Sequence, residues 1–218
     1  MIPVAAFGLF GDAFNFVTSG REAATGGVQV GGPEAVFDLA VKQVEVTLLA
    51  LGVAIILALP VGLILGHRGT GEFVAVTAGN AGRAIPELAL IALMATAVGV
   101  GLFNLVIALA ILGIPPILTN TFVGIRQVDR SSVEAAKGMG MSGREIITKV
   151  ELPLAIPTIM GGVRTASINI IATATIAPLA GVLTLGDLII SRNVYGDAGV
   201  LAGAVLVAVG LLRLGWVA

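Results

Sequence analysis

The sequence predicts an all-α, polytopic membrane protein of about five transmembrane helices, interrupted once by a polar helix–turn–helix. Three observations predict it. Mean hydropathy is +1.06, with 57% hydrophobic and only 11% charged residues, which excludes an ordinary soluble domain. Several long stretches carry no charge at all. One charged segment, residues 126–155, stands between apolar runs.

Residues 1–20 begin apolar but lack a basic start, and Asp12 interrupts them. They fit neither a signal peptide nor a full span. The expectation for residues 1–40 is an extracytoplasmic segment, its first part lying at the outer membrane surface and Gly26 to Pro33 forming a loop. Residues 41–218 make up the transmembrane domain.

Val46 to Gly66 is 21 residues without a charge, enough for one crossing at about 20 residues per span. Leu88 to Ile125 is 38 such residues, too many for one span, and Gly99-Val100-Gly101 is the natural break. The helix before that break extends back through Glu87 and Arg83 to about Phe73. Thr165 to Gly186 adds 22 uncharged residues and Ala198 to Leu212 adds 15. The predicted crossings are 46–66, 73–98, 102–125, 157–181 and 199–217. The last one stops at Trp216-Val217-Ala218 with little of the expected basic tail, which reads as a shortened or unusual C-terminus.

An odd count puts the termini on opposite sides, and the basic residues assign them. Arg68, Arg126, Arg130, Lys137, Arg144 and Lys149 fall on the side of the polar loop, against Arg21, Lys42 and Arg192 on the other. The loop and the C-terminus are therefore expected inside, the N-terminus outside. A formal net charge of −1 points to no nucleic-acid partner. With no cysteine there is no disulfide or thiol chemistry.

The polar loop carries its own helix signals. Ser131 with Glu134, and Ser142 with Glu145, have the S-x-x-E spacing of a capping box. Gly138 and Gly140 loosen the end of the first helix, and Pro153 followed by Pro157 is expected to end the second. Met139 and Met141 are adaptable apolar groups suited to a partner's groove. Glu134-Ala135-Ala136, then Gly140, then Val150-x-Leu152-Pro153 form an E-A-A…G…aliphatic-x-L-P pattern. This resembles the cytoplasmic EAA loop of permease subunits in bacterial ATP-driven (ABC) importers, with Val150 where the family usually has Ile. The resemblance implies the type I importer permease fold. It assigns Glu134, Ala135, Ala136, Gly140, Met141, Leu152 and Pro153 to the contact with a separate ATPase subunit.

The likeness covers roughly Val41 to Val207. Ala58-Leu59-Pro60-Val61-Gly62, Arg83-Ala84-Ile85-Pro86, Gly113-Ile114-Pro115-Pro116 and Leu185-Gly186-Asp187-Leu188-Ile189 look like matching runs of the osmoprotectant branch, the glycine betaine/carnitine/choline type. Glu87 departs from it, standing where a small residue is more usual. The resemblance implies import of a compatible solute such as glycine betaine, choline, carnitine or proline betaine. The alternatives are a same-fold permease for an amino acid or other small solute, an ion-driven secondary transporter, or a scaffold protein. A secondary transporter usually shows an internal repeat, and none is visible.

Within the membrane, Thr165, Asn169 and Thr173 fall at i, i+4 and i+8, one polar stripe that either lines a solute route or lets helices pack closely. Arg83 and Glu87, four apart, are placed to pair, and with Pro86 they are candidate pathway residues. Pro60, Pro86, Pro115 and Pro116 are expected to kink their spans. Arg164 reads as a snorkelling side chain, and His67, the only histidine, as a solvated turn residue.

No catalytic or metal-binding spacing stands out, and G-x-x-x-x-G-K-[ST] is absent. The expectation is a non-enzymatic subunit without a cofactor of its own, ATP being bound by the partner ATPase. Quaternary ammonium ions are held by aromatic cages, and this chain has one Tyr and one Trp. Capture therefore falls to an extracytoplasmic solute-binding protein. A second permease, identical or related, would complete the route through the lipid bilayer of a bacterial inner membrane.

Overall fold

A computed structural model of the chain describes residues 5–73, 75, 77, 79–80 and 85–216. Helix α1 (Ala5–Ser19) leads into two short antiparallel strands, β1 (Arg21–Glu22) and β2 (Gln29–Val30), with Arg21 opposite Val30. The expected loop at Gly26 to Pro33 is thus partly a hairpin, its turn carried by Gly26 and Gly27, both at positive φ. Helix α2 (Pro33–Arg68) opens with proline in its first turn, where a missing N–H costs nothing. Glu34 in that turn and His67 and Arg68 in the last one complement the helix dipole.

Helix α3 (Glu87–Val98) is followed by α4 (Leu102–Arg126). The predicted break between them is present. Gly99 and Gly101 have φ of 98° and 135°, the Gly101 amide donates to the Ala180 carbonyl at 2.9 Å, and Asn104 Nδ2 donates to the Gly99 carbonyl at 2.7 Å. Helices α5 (Arg130–Gly138) and α6 (Gly143–Ile146) form the polar loop. A π turn (Ile147–Glu151) joins α6 to α7 (Leu152–Thr173), and a 3₁₀ turn (Ala174–Ala180) follows it. Helices α8 (Leu185–Ile190) and α9 (Arg192–Trp216) close the chain, α9 being broken by Gly196 at φ 59°.

Among the described residues, four helical stretches are long and apolar enough to cross a membrane: Pro33–Arg68, Leu102–Arg126, Gly143–Ala180 and Arg192–Arg213. Helix α3 is apolar but has 12 residues. The predicted second span, 73–98, falls partly outside the described residues. Its described part has no helix at Ile85 and Pro86, so Pro86 precedes a helix where a kink within one was expected. Proline is tolerated there because the first amides of a helix have no internal partner. Pro60, Pro115 and Pro116 do lie inside helices.

The predicted stop at Pro153 and Pro157 is overturned. Helix α7 starts at Leu152 and runs through both. The reason is the π turn, in which the Leu152 amide bonds back to the Ile147 carbonyl. That wider turn lets the chain enter a new helix with Pro153 in its first turn, where no donor is required.

The chain divides into two compact units. The first comprises Met1–Leu49, Leu88–Ala108 and Ile171–Val217. Its core gathers Phe16, Val36, Leu185, Leu188, Ala198 and Ala202, with α9 packed on α1 and α8. Phe16 meets the Tyr195 ring edge-on, with centroids 6.2 Å apart. The second comprises Ala50–Glu87 and Leu109–Ile170. Its core is built on small residues, Ala54, Ala58, Ala110 and Ala166, around Ile117 and Leu118. Small residues permit the close helix approach that membrane interiors favour. A Cβ on Gly62 would stand 2.7 Å from the Thr121 Cβ, and one on Gly162 2.7 Å from the Pro116 carbonyl.

The most apolar window of α2 is only 22% buried, that of α4 61%. Leu48, Ile56, Leu57, Val61 and Ile64 of α2 are exposed. So large an apolar face, untenable in water, is what lipid solvates.

Candidate functional site

Helix α5 opens on Asp129, whose carboxylate accepts from the Ser131 amide at 3.1 Å and from the Ser131 hydroxyl. The expected Ser131–Glu134 capping box is therefore corrected. Asp129 outcompetes Ser131 for the cap because it stands one residue before the first helical position, where an acceptor meets free amides. Ser131 becomes a donor inside the helix. Its hydroxyl and amide hold the Asp129 carboxyl below its usual range.

The end of α5 is a Schellman closure. The Gly140 amide bonds to the Lys137 carbonyl at 2.9 Å and the Met141 amide to the Ala136 carbonyl at 3.2 Å. Gly140 takes φ +81° at the position where glycine is favoured. The predicted second capping box is present: Ser142 Oγ accepts from the Glu145 amide at 3.4 Å, and Glu145 Oε2 accepts from the Ser142 amide at 3.0 Å. Lys149 adds an ion pair to Glu145 at 2.9 Å.

These local bonds hold two short helices at a fixed turn and leave a mixed surface outward. Glu134, Ala135, Gly140, Met139 and Pro153 are exposed, Met141 and Leu152 half-buried, and Ala136 buried. The alanine pair thus splits: Ala136 packs within, and Ala135 leaves room for a close approach from outside.

Under the loop lies a cleft of about 200 Å³ lined in part by Arg126, Arg130, Glu134 and Lys137. At its base His67 Nδ1 stands 2.7 Å from Glu151 Oε2. Glu151 is 5% exposed. The expectation that His67 is a solvated turn residue is therefore corrected. It sits half-buried in the last turn of α2, within hydrogen-bond distance of a buried carboxyl group. Sequence reasoning missed this pair. The one available signal was a lone histidine beside a long apolar helix and a glutamate at the unassigned place of Val150-x-Leu152.

The candidate pathway residues are not gathered into one described site. Arg83 lies outside the described residues. Glu87 begins α3 directly after Pro86. Thr165 is exposed and spends its hydroxyl on the Gly161 carbonyl at 2.9 Å. Asn169 is exposed, and Thr173 is buried with its hydroxyl unpaired.

In the first unit, Asp187 accepts from the Tyr195 hydroxyl and from Ser191 Oγ, each at 2.7 Å. Arg21 Nη2 donates to the Tyr195 carbonyl at 2.7 Å.

Comparison with known proteins gives consistent results. Residues 50–217 match the family described as binding-protein-dependent transport system inner membrane component. The glycine betaine/carnitine/choline transport system permease protein OpuCB of Bacillus subtilis is 38% identical over 77% of this chain and 78% of its own. The choline transport system permease protein OpuBB of the same organism is 36% identical over the same shares. The carnitine transport permease protein OpuCB of Listeria monocytogenes is 35% identical over 76% of each chain. Among solved structures, an inward-facing MetNI methionine ABC transporter aligns with TM-score 0.72 and 19% identity, over 84% of this chain and 92% of that one. That likeness is one of fold.

Proposed function

The chain belongs to the family of binding-protein-dependent transport system inner membrane components, and from that premise we propose that it is the permease subunit of an ATP-driven importer of compatible solutes. Relatives of this identity are named for glycine betaine, carnitine and choline, and that supports the substrate class. The observation that carries the coupling role is the outward helix–turn–helix from Asp129 to Glu151, which presents Glu134, Ala135 and Gly140.

A separate ATPase subunit docks on Glu134, Ala135, Ala136, Gly140, Met141, Leu152 and Pro153. Closure of its nucleotide-loaded dimer pushes the loop, and the loop moves the helices. A second permease completes the route, and a solute-loaded binding protein delivers cargo on the opposite face. The loop and C-terminus are cytoplasmic and the N-terminus is outside, as the six basic residues against three favour. Residues 1–40 form the extracytoplasmic segment. Pro86, Glu87, Thr165 and Asn169 border the route. The chain binds no cofactor and catalyses no reaction of its own.

The test is uptake of labelled glycine betaine under hypertonic stress, with and without the gene, choline and proline serving as competitors. Gene-dependent uptake that ATP depletion abolishes and ionophores spare supports the reading. Uptake independent of the gene, in a chain that still co-isolates with an ATPase, retains the importer and moves the substrate to another small solute such as an amino acid.

A further inference from the structure

The end of α2 meets the polar loop at a half-buried polar contact, in addition to the apolar packing of Leu59 and Leu63 with Val128 and Leu152. Gly66 lets α2 close on α4: a Cβ there would lie 2.7 Å from the Ile125 Cβ and 3.2 Å from the Phe122 carbonyl. The next residue, His67, then faces two ends of one segment. Its Nε2 would be 3.2 Å from a Cβ on Gly143, the first residue of α6. Its Nδ1 is 2.7 Å from Oε2 of Glu151, the last residue of the π turn. One proton is shared between the two atoms.

The segment that His67 brackets is mechanically soft. The π turn carries one residue more than an α turn, and Pro153 immediately after it has no amide to donate. A push on α5 and α6 is partly spent in flexing that turn, except where side-chain contacts with α2, the apolar ones of Leu59 and Leu63 included, bypass it. The His67–Glu151 contact is such a bypass. It ties the far end of the soft segment to α2, a helix of 36 residues. Glu151 is buried and His67 half-buried, so losing the contact would leave the Glu151 carboxyl group desolvated and unpaired.

We propose that His67 and Glu151 are the positioning pair of energy coupling, the rigid link through which displacement of the 126–155 loop reaches α2. This rests on the reading of that loop as the ATPase-docking surface.

The test uses the whole transporter, with its ATPase and binding protein, in proteoliposomes. Glycine betaine moved per ATP hydrolysed is measured for His67→Ala, Glu151→Ala and the double variant. Co-isolation of the ATPase is scored separately. We expect each single variant to keep the ATPase bound and hydrolysing while solute moved per ATP falls about tenfold, the equivalent of one hydrogen bond. The double variant should be no worse than either single one, because both remove the same link. If an alanine variant does not assemble, His67→Gln and Glu151→Gln, which keep volume and hydrogen bonding, carry the same cycle with a smaller loss. Wild-type coupling in the assembled variants, or losses that multiply in the double variant, overturns the inference while leaving the docking reading intact. Failure of the wild-type chain to co-isolate with the ATPase overturns both.

Discussion

Gly186 lies so close to the backbone of Thr175 that a Cβ on it would stand 1.7 Å from the Thr175 carbonyl oxygen. The contact seats the first turn of α8 on the 3₁₀ turn after α7, beside the bond from the Thr184 hydroxyl to the Ala174 carbonyl at 2.9 Å. No side chain can be flexed away here, because the obstacle is main chain. Gly186→Ala should destabilise the protein by about 3 kcal/mol or more, the upper range for overpacking. A thermal-shift assay in detergent checks it, and an unchanged melting temperature would show that the two turns are not in register as described.

Tyr195 and Asp187 provide a milder probe of the same unit. Asp187 is buried and has two hydroxyl donors, and Tyr195→Phe removes one of them. A loss of about 1–3 kcal/mol is expected, the range for leaving a buried acceptor short of a donor. Asp187→Ala should cost more, since it strands both hydroxyls. Equal melting temperatures for wild type and Tyr195→Phe would remove the bond from the account.

Glu134 tests the proposed docking surface directly. It is exposed, has no ion-pair partner among the described residues and is not the cap of its own helix. Glu134→Arg should leave membrane insertion intact and uncouple ATP hydrolysis from uptake. Insertion is followed by fractionation and coupling by transport assays. Unchanged transport, or loss of insertion, would show that the residue does not serve docking.

Gly140 separates space from conformation. Nothing stands within 4 Å of a Cβ there, yet its φ is +81°. Gly140→Ala therefore meets no clash and pays only for the left-handed backbone, roughly 1–2 kcal/mol. Gly140→Asn should recover part of that, because asparagine tolerates this region better. Amide exchange at Gly140 and Met141 would rise in the alanine variant and less in the asparagine one. The same rise in both would point to a lost contact instead.

What the sequence revealed was what chain-local spacing encodes. Ser142 and Glu145 are three residues apart, and their reciprocal cap is present as expected. Gly99 and Gly101 mark the break between two helices because only glycine takes those angles cheaply. At Asp129, two acceptors competed for the same amides, and spacing alone favoured the wrong one. Pro153 and Pro157 read as stops because the Ile147–Glu151 run has no composition of its own that announces a π turn. The His67–Glu151 contact joins residues 84 apart in the chain, and hydrophobic periodicity carries no information about which helices meet. Thr165, Asn169 and Thr173 were nominated from polarity and helical spacing, and Thr165 shows why that is weak: its hydroxyl is already used by its own helix.

The π turn has one more consequence. A surplus residue rotates every face that follows it by about 100°, since an α-helix advances one residue per 100°. Ala155, Ile159, Ala166 and Ile170, all buried in α7, owe their azimuth to that offset. Were Ile147–Glu151 drawn into regular α-helix, the whole span would turn by more than a quarter of a revolution and carry those side chains off their present bearing. A length change of one residue at this spot would be felt along the full membrane segment as a rotation, whereas the same change in the Gly26–Gly27 hairpin turn would stay local.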